Sequence, residues 1–110
     1  MRKVFISSVL GLMVSVSALF AENAGQGIFE TNGCSMCHKP DMETVGPSLK
    51  QISMYYSGKE NTLLSYLKGE TGAIIYPERA GVMKPQLIKI RNLYEDETRA
   101  LARYLITPQF

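Results

Sequence analysis

Both cysteines and the single histidine of this chain lie within five positions, in the stretch GCSMCHKP at residues 33–40. Three chemistries compete for Cys34, Cys37 and His38: a redox disulfide, a zinc site and a covalently attached haem. A Cys-x-x-Cys redox site belongs in a βαβ context, and this chain shows almost none of the period-2 alternation that strands require. A structural zinc site takes four ligands. Three are present, no further Cys or His exists, and completion by a carboxylate such as Asp41 would rely on the awkward adjacent pair Cys37 and His38. The full Cys-x-x-Cys-His spacing is the attachment pattern of c-type haem. Two thiols add across the vinyl groups on one side of the porphyrin, and the next residue turns its imidazole under the ring toward iron.

The amino terminus favours the same chemistry. MRKVFISSVLGLMVSVSALFA carries Arg2 and Lys3, then an uncharged apolar run, then small residues at Ala18 and Ala21. This is the pattern of a secretory signal peptide over 1–21, which leaves residues 22–110 as one domain. An uncleaved anchor is the alternative, because the run approaches the roughly 20 residues that span a bilayer. The chain has 12 Lys+Arg against 10 Asp+Glu, and losing Arg2 and Lys3 leaves 10 against 10. With no basic excess there is no case for a nucleic-acid partner. No other apolar run is long enough for a membrane span. A domain of this size buries a modest core and needs a staple. A disulfide between cysteines three apart closes too short a loop to serve.

The pattern over the rest of the chain predicts an all-α domain. Ala24–Thr31 is a short helix candidate with Ile28 and Phe29 apolar, ended by Asn32-Gly33. Leu49, Ile52 and Tyr56 form an i, i+3, i+7 stripe closed by Gly58, with Pro47 just before it. Asn61 is placed to cap a helix carrying Leu63, Leu64, Tyr66 and Leu67, with Gly69 beyond its end. Residues 70–86, punctuated by Gly72, Pro77, Gly81 and Pro85, are expected to form a long loop, a feature that is usually functional. Glu95–Ile106 is the clearest helix. Its acidic first turn suits the helix dipole, and Thr98, Leu101 and Leu105 lie along one side.

Taken together, these segments resemble the class I c-type cytochromes, in particular the small bacterial monohaem type. The resemblance runs through Gly27-Ile28-Phe29, the Cys34–His38 motif, Gly46-Pro47-Ser48-Leu49, Val82-Met83-Lys84-Pro85 and Leu101-Ala102-Arg103-Tyr104-Leu105. Tyr94 stands where relatives often place Ser or Thr ahead of the last helix. The resemblance implies a single cytochrome c domain with crossing N- and C-terminal helices and one covalent haem c in the core. It implies Cys34 and Cys37 as attachment points and His38 as one iron ligand. The Pro47 carbonyl is then expected to accept a hydrogen bond from the imidazole.

Four methionines remain after the signal as candidates for the second ligand. Met36 and Met42 lie beside the attachment motif, and Met54 on an apolar helix reads as core filler. Met83, in the aperiodic segment with Pro85 just beyond, is the ligand the resemblance implies. Gly27, Phe29, Leu101 and Tyr104 are expected to meet at the helix crossing, with Gly27 admitting the close approach. Candidate haem walls are Leu49, Tyr55, Tyr56, Leu63, Leu67, Ile74 and Ile75; Tyr55, Tyr56, Arg79, Lys50 and Gln86 are candidates for the propionates.

The function implied is that of a monomeric periplasmic electron carrier, not an enzyme. Its partners would be other redox proteins, such as a membrane or periplasmic oxidase or reductase, met through a haem edge near Lys39 and Lys84. The alternative is a cytochrome subunit of an exported multi-subunit oxidoreductase, for example one that oxidises sulfur compounds. A gas sensor would require an open sixth position on iron.

Overall fold

A computed structural model describes residues 24–108, so the signal peptide expected at 1–21 lies outside the described residues. Among the described residues every regular element is helical. Helix α1 covers 24–31. It stops where the Asn32 side-chain amide donates to the Ile28 carbonyl at 2.8 Å and Gly33 takes φ 72°. That left-handed backbone is open to glycine at little steric cost, and it turns the chain directly into a 3₁₀ turn at Cys34–Met36.

Helix α2, Leu49–Tyr55, begins at a capping box. The Ser48 hydroxyl accepts from the Gln51 amide at 3.1 Å, and Gln51 Oε1 accepts from the Ser48 amide at 2.8 Å. Two otherwise orphaned donors are thereby satisfied. Helix α3, Glu60–Leu67, starts one residue before the expected cap: Lys59 is its N-cap, and Asn61 lies inside the first turn. There Asn61 accepts from Arg99 at 3.2 Å, so its side chain is turned to the neighbouring helix instead of to its own amides.

The segment expected as a long loop is largely helical. A 3₁₀ run, Pro77–Met83, leads directly into helix α4, Lys84–Ile90. Both prolines lie in first turns, where the missing N–H has no intrahelical partner to lose. Pro77 and Pro85 therefore start helical segments instead of breaking them. Met83, Leu87 and Ile90 recur at i, i+4, i+7 and face the core, with Ile90 buried and the other two partly so. Helix α5, Glu95–Ile106, has the bounds its sequence implied. Tyr94 is its N-cap, and Glu97 compensates for the absent Ser or Thr by accepting from the Tyr94 amide at 2.9 Å.

Helix α5 is the spine of the core. It packs against α2 and α3 and buries Thr98, Leu101, Ala102 and Leu105. On another side it crosses α1, where the Phe29 and Tyr104 rings lie 5.3 Å apart at 51°, an attractive tilted geometry. The glycine at this crossing is Gly25, not Gly27. A Cβ on Gly25 would lie 2.3 Å from the Ala100 carbonyl oxygen, whereas one on Gly27 would meet nothing within 4 Å. Helical phase explains the correction. Gly25 and Phe29 are four apart and share a face, while Gly27 and Phe29, two apart, point in opposed directions.

Candidate functional site

A cavity of about 290 Å³ opens between the 3₁₀ turn at Cys34–Met36 and the helical run that ends at Met83. Cys34, Cys37, His38 and Met83 all line it. Its depth is apolar, formed by Phe29, Ile52, Leu63, Leu67, Ile75, Ile90, Leu101 and Leu105 from five helices and the loop before Tyr76. The core of this domain is thus a shell around a slot. Of the expected walls, Tyr56, Leu63, Leu67 and Ile75 face the slot and Leu49, Tyr55 and Ile74 do not. Tyr55–Tyr56 and Ile74–Ile75 are adjacent pairs, and only one member of each can point inward. Leu49 is buried elsewhere in the core. Of the expected propionate contacts, Tyr56, Arg79 and Gln86 line the cavity, while Lys50 and Tyr55 do not.

The histidine is held in one tautomer. His38 Nδ1 lies 2.7 Å from the Pro47 carbonyl oxygen. A carbonyl only accepts, so Nδ1 carries the proton and Nε2 keeps its lone pair in the neutral ring. The loop that delivers Pro47 is tied back to the motif: the Gly46 amide and the Thr44 hydroxyl both donate to the Cys37 carbonyl, at 3.1 and 3.0 Å. Gly46 makes this possible through its size. A Cβ there would come within 2.7 Å of His38 Cε1 and 2.9 Å of Nδ1.

The cysteines are half-buried free thiols. Burial pushes the Cys34 thiol up, and the opposing pull of Lys89 is weaker. Reactive redox thiols show the reverse shift, so Cys34 lacks the environment of an activated thiol. Among the described residues no three His, Cys, Asp or Glu side chains gather as a metal site.

The methionines separate by position. Met42 and Met54 are 65% and 67% exposed, so Met54 is not the core filler its helix suggested. It lies off the buried stripe of Leu49, Ile52 and Tyr56. Met36 lines the cavity mouth but is largely exposed, and Met83 is partly buried against the core. Two further features escaped the sequence reading. One is the steric need for glycine at 46. The other is a polar group at the rim, Glu43 with Tyr76 and Arg79, whose members come from distant segments.

An all-helical shell around an apolar slot, entered by two thiols and an imidazole from one turn, defines a small haem-binding domain. The chain belongs to the cytochrome c family, whose model matches residues 22–107. It is similar to cytochrome c-551 of Azotobacter vinelandii, at 29% identity over 90 residues covering 76% of this chain and 95% of that one. It is also similar to cytochrome c-551 of Stutzerimonas stutzeri, at 26% identity over 111 residues covering 97% and 98%. The cofactor of the family is covalently attached haem c with its iron, and electron transfer through it is this chain's function. The residues present fit that group. The slot is apolar in its depth, the thiols lie at one wall, and Gly46 leaves the imidazole the space a Cβ would fill. Among the described residues no helix is long and apolar enough to cross a membrane.

Proposed function

We propose that the chain is an exported, periplasmic carrier of single electrons and not an enzyme. In this reading Cys34 and Cys37 would hold the haem as thioethers, His38 and Met83 would ligate its iron, and Pro47 orients His38. The observation that carries the proposal is the convergence of Cys34, Cys37, His38 and Met83 on one cavity, with the His38 proton fixed on Nδ1. When bound, the haem supplies a one-electron Fe(II)/Fe(III) couple.

The chain's own residues set the terms of that couple. Donation of the Nδ1 proton to the Pro47 carbonyl fixes the ring and raises the basicity of Nε2. A thioether is a soft donor that favours ferrous iron and raises the potential. The apolar walls exclude water and disfavour added charge. With His38 and Met83 both given to iron, no open position would be left for a substrate, which is the physical argument for a carrier. The likeness to proteins named cytochrome c-551, covered over 95% and 98% of their lengths, supports a carrier over an oxidoreductase subunit. The partners are other redox proteins, met by a monomer at the cavity mouth, where Lys39 and Lys84 flank the two ligand segments. Processing after Ala21 would leave Glu22 as the mature amino terminus.

The test is substitution at the methionines in the haem-loaded protein. Ferrous parent protein is expected to exclude carbon monoxide. Met83→Ala should bind it and show a lower midpoint potential, whereas Met54→Leu should behave as the parent. Parental potential and low-spin spectrum in Met83→Ala would remove Met83 as the ligand.

A further inference from the structure

The loop after His38 and the turn that carries Met83 meet at the rim of the cavity, and their contact is polar. Glu43 stands on the first segment, Tyr76 and Arg79 on the second, and all three line the cavity. Arg79 is the only lysine or arginine among the lining residues. Its guanidinium carbon lies 3.8 Å from the centroid of the Tyr76 ring, within cation–π range. Its Nη2 lies 3.8 Å from Glu43 Oε1. That same oxygen accepts from Gln51 Nε2 at 3.2 Å, and Gln51 Nε2 also reaches the Tyr76 hydroxyl at 3.4 Å. Gln51 cannot drift, because its Oε1 is held by the Ser48 amide in the α2 cap. The Glu43 carboxylate accepts from the Tyr76 phenol and holds its pKa up.

Tyr76 carries a second signal. At φ 45° it is the only non-glycine residue with positive φ among the described residues. An aromatic side chain in this region is a genuine outlier, and it persists where neighbouring contacts enforce it. Tyr76 is also the N-cap of the 3₁₀ run that ends at Met83. The strained residue therefore sets the direction in which the methionine-bearing turn leaves the loop.

We propose that Glu43, Tyr76 and Arg79 form a latch across the rim that keeps the turn bearing Met83 closed over the cavity. The inference rests on the reading of Met83 as iron ligand and adds the device that keeps it in place. To release Met83 from iron, the turn 77–83 must swing outward, and that motion first separates Tyr76 and Arg79 from Glu43. The latch residues touch neither iron nor Met83 in this account. They are positioning residues, and their effect is on how readily an outside ligand replaces the methionine. Glu43 and Arg79 are partly solvated, so the effect is modest.

The experiment titrates imidazole into ferric, haem-loaded protein and reads the spectral change, with denaturant midpoints measured alongside. Glu43→Gln and Tyr76→Phe should each bind imidazole about three- to tenfold more tightly than the parent. The double variant should gain no more than the larger single effect, because both substitutions open one contact. Glu78→Gln removes a nearby charge outside the latch, and Glu60→Gln removes stability at α3 and α5; both should bind imidazole as the parent does. Met83→Ala, run in the same series, should bind it far more tightly. If Met83→Ala does so while Glu43→Gln and Tyr76→Phe match the parent, the latch is refuted and the ligand stands. If Met83→Ala binds no better than the parent, the ligand assignment falls and the latch falls with it.

Discussion

At the scale of single residues, the site depends as much on what is missing from a side chain as on what is present. His38 can reach the Pro47 carbonyl only because position 46 has no Cβ; a methyl there would lie 2.7 Å from the ring. Gly46→Ala should therefore displace the imidazole or the loop, at a cost of about 1–3 kcal/mol for the overpacking. Denaturant unfolding of the holoprotein measures the stability, and the midpoint potential reports any disturbance of His38. A variant with unchanged potential and stability would show that the ring has room the structure does not. The cluster of Cys34, Cys37 and His38 was legible in the sequence because the three groups lie within five positions, and such closeness needs no fold to interpret. The glycine's role was not legible, because the clash involves a ring eight residues away. Glu43, Gln51, Tyr76 and Arg79 were illegible as a group for the same reason: their meeting depends on a left-handed Tyr76 that no propensity would assign.

At the scale of elements, the crossing of α1 and α5 separates two glycines that look equivalent in sequence. Gly25→Ala must drive a methyl into the Ala100 carbonyl oxygen and the Tyr104 Cβ, at 2.3 and 2.7 Å, so the helices have to part. The expected loss is about 1–3 kcal/mol. Gly27→Ala meets open space and should gain up to about 1 kcal/mol from helix propensity. Thermal unfolding of the two variants should thus shift in opposite directions, and a shift of the same sign in both would contradict the assigned face. The opposite edge of α5 is tied to α3 by Arg99 and Arg103, which contact the two oxygens of Glu60 at 2.9 and 3.1 Å. Partial burial alone would raise the Glu60 pKa, but the two guanidiniums outweigh it and hold the carboxyl below its usual range. A depressed carboxylate contributes stability above its unfolded pKa, near 4.5, and loses it as pH falls through the lower folded value. Glu60→Gln should accordingly be less stable than the parent by about 0.5–1 kcal/mol at neutral pH. The gap should close as the pH is taken below 4.5, and a gap that stays constant into acid would rule out the linkage. Helices α2 and α5 could be read from apolar spacing alone. Helix α4 was hidden by its prolines, which read as breakers until their first-turn positions are known.

At the scale of the whole molecule, the helices pack on one another and also enclose a slot, so a cofactor that fills it is expected to act as a structural member. A cavity of 290 Å³ left unfilled by protein or cofactor would forfeit at most about 7 kcal/mol, at the roughly 24 cal/mol per Å³ of enclosed core cavities. That is comparable with the entire stability of a small domain, about 5–15 kcal/mol. The helices also pack on one another, α5 against α2 and α3, with Phe29 on Tyr104 and Glu60 on two arginines at the flanks. Those contacts stabilise the shell but leave the slot itself unfilled. A chain that cannot retain haem is therefore expected not to hold this fold. Cys34→Ala with Cys37→Ala removes both thiols while leaving the walls, His38 and Met83 intact. Exported alongside the parent and stripped of any loosely held haem, the double variant should show reduced helical circular dichroism and no cooperative melting, and little of it should accumulate. A colourless double variant with parental helix content and a sharp melting transition would mean that the shell closes on itself, and that haem adds function without adding the missing core.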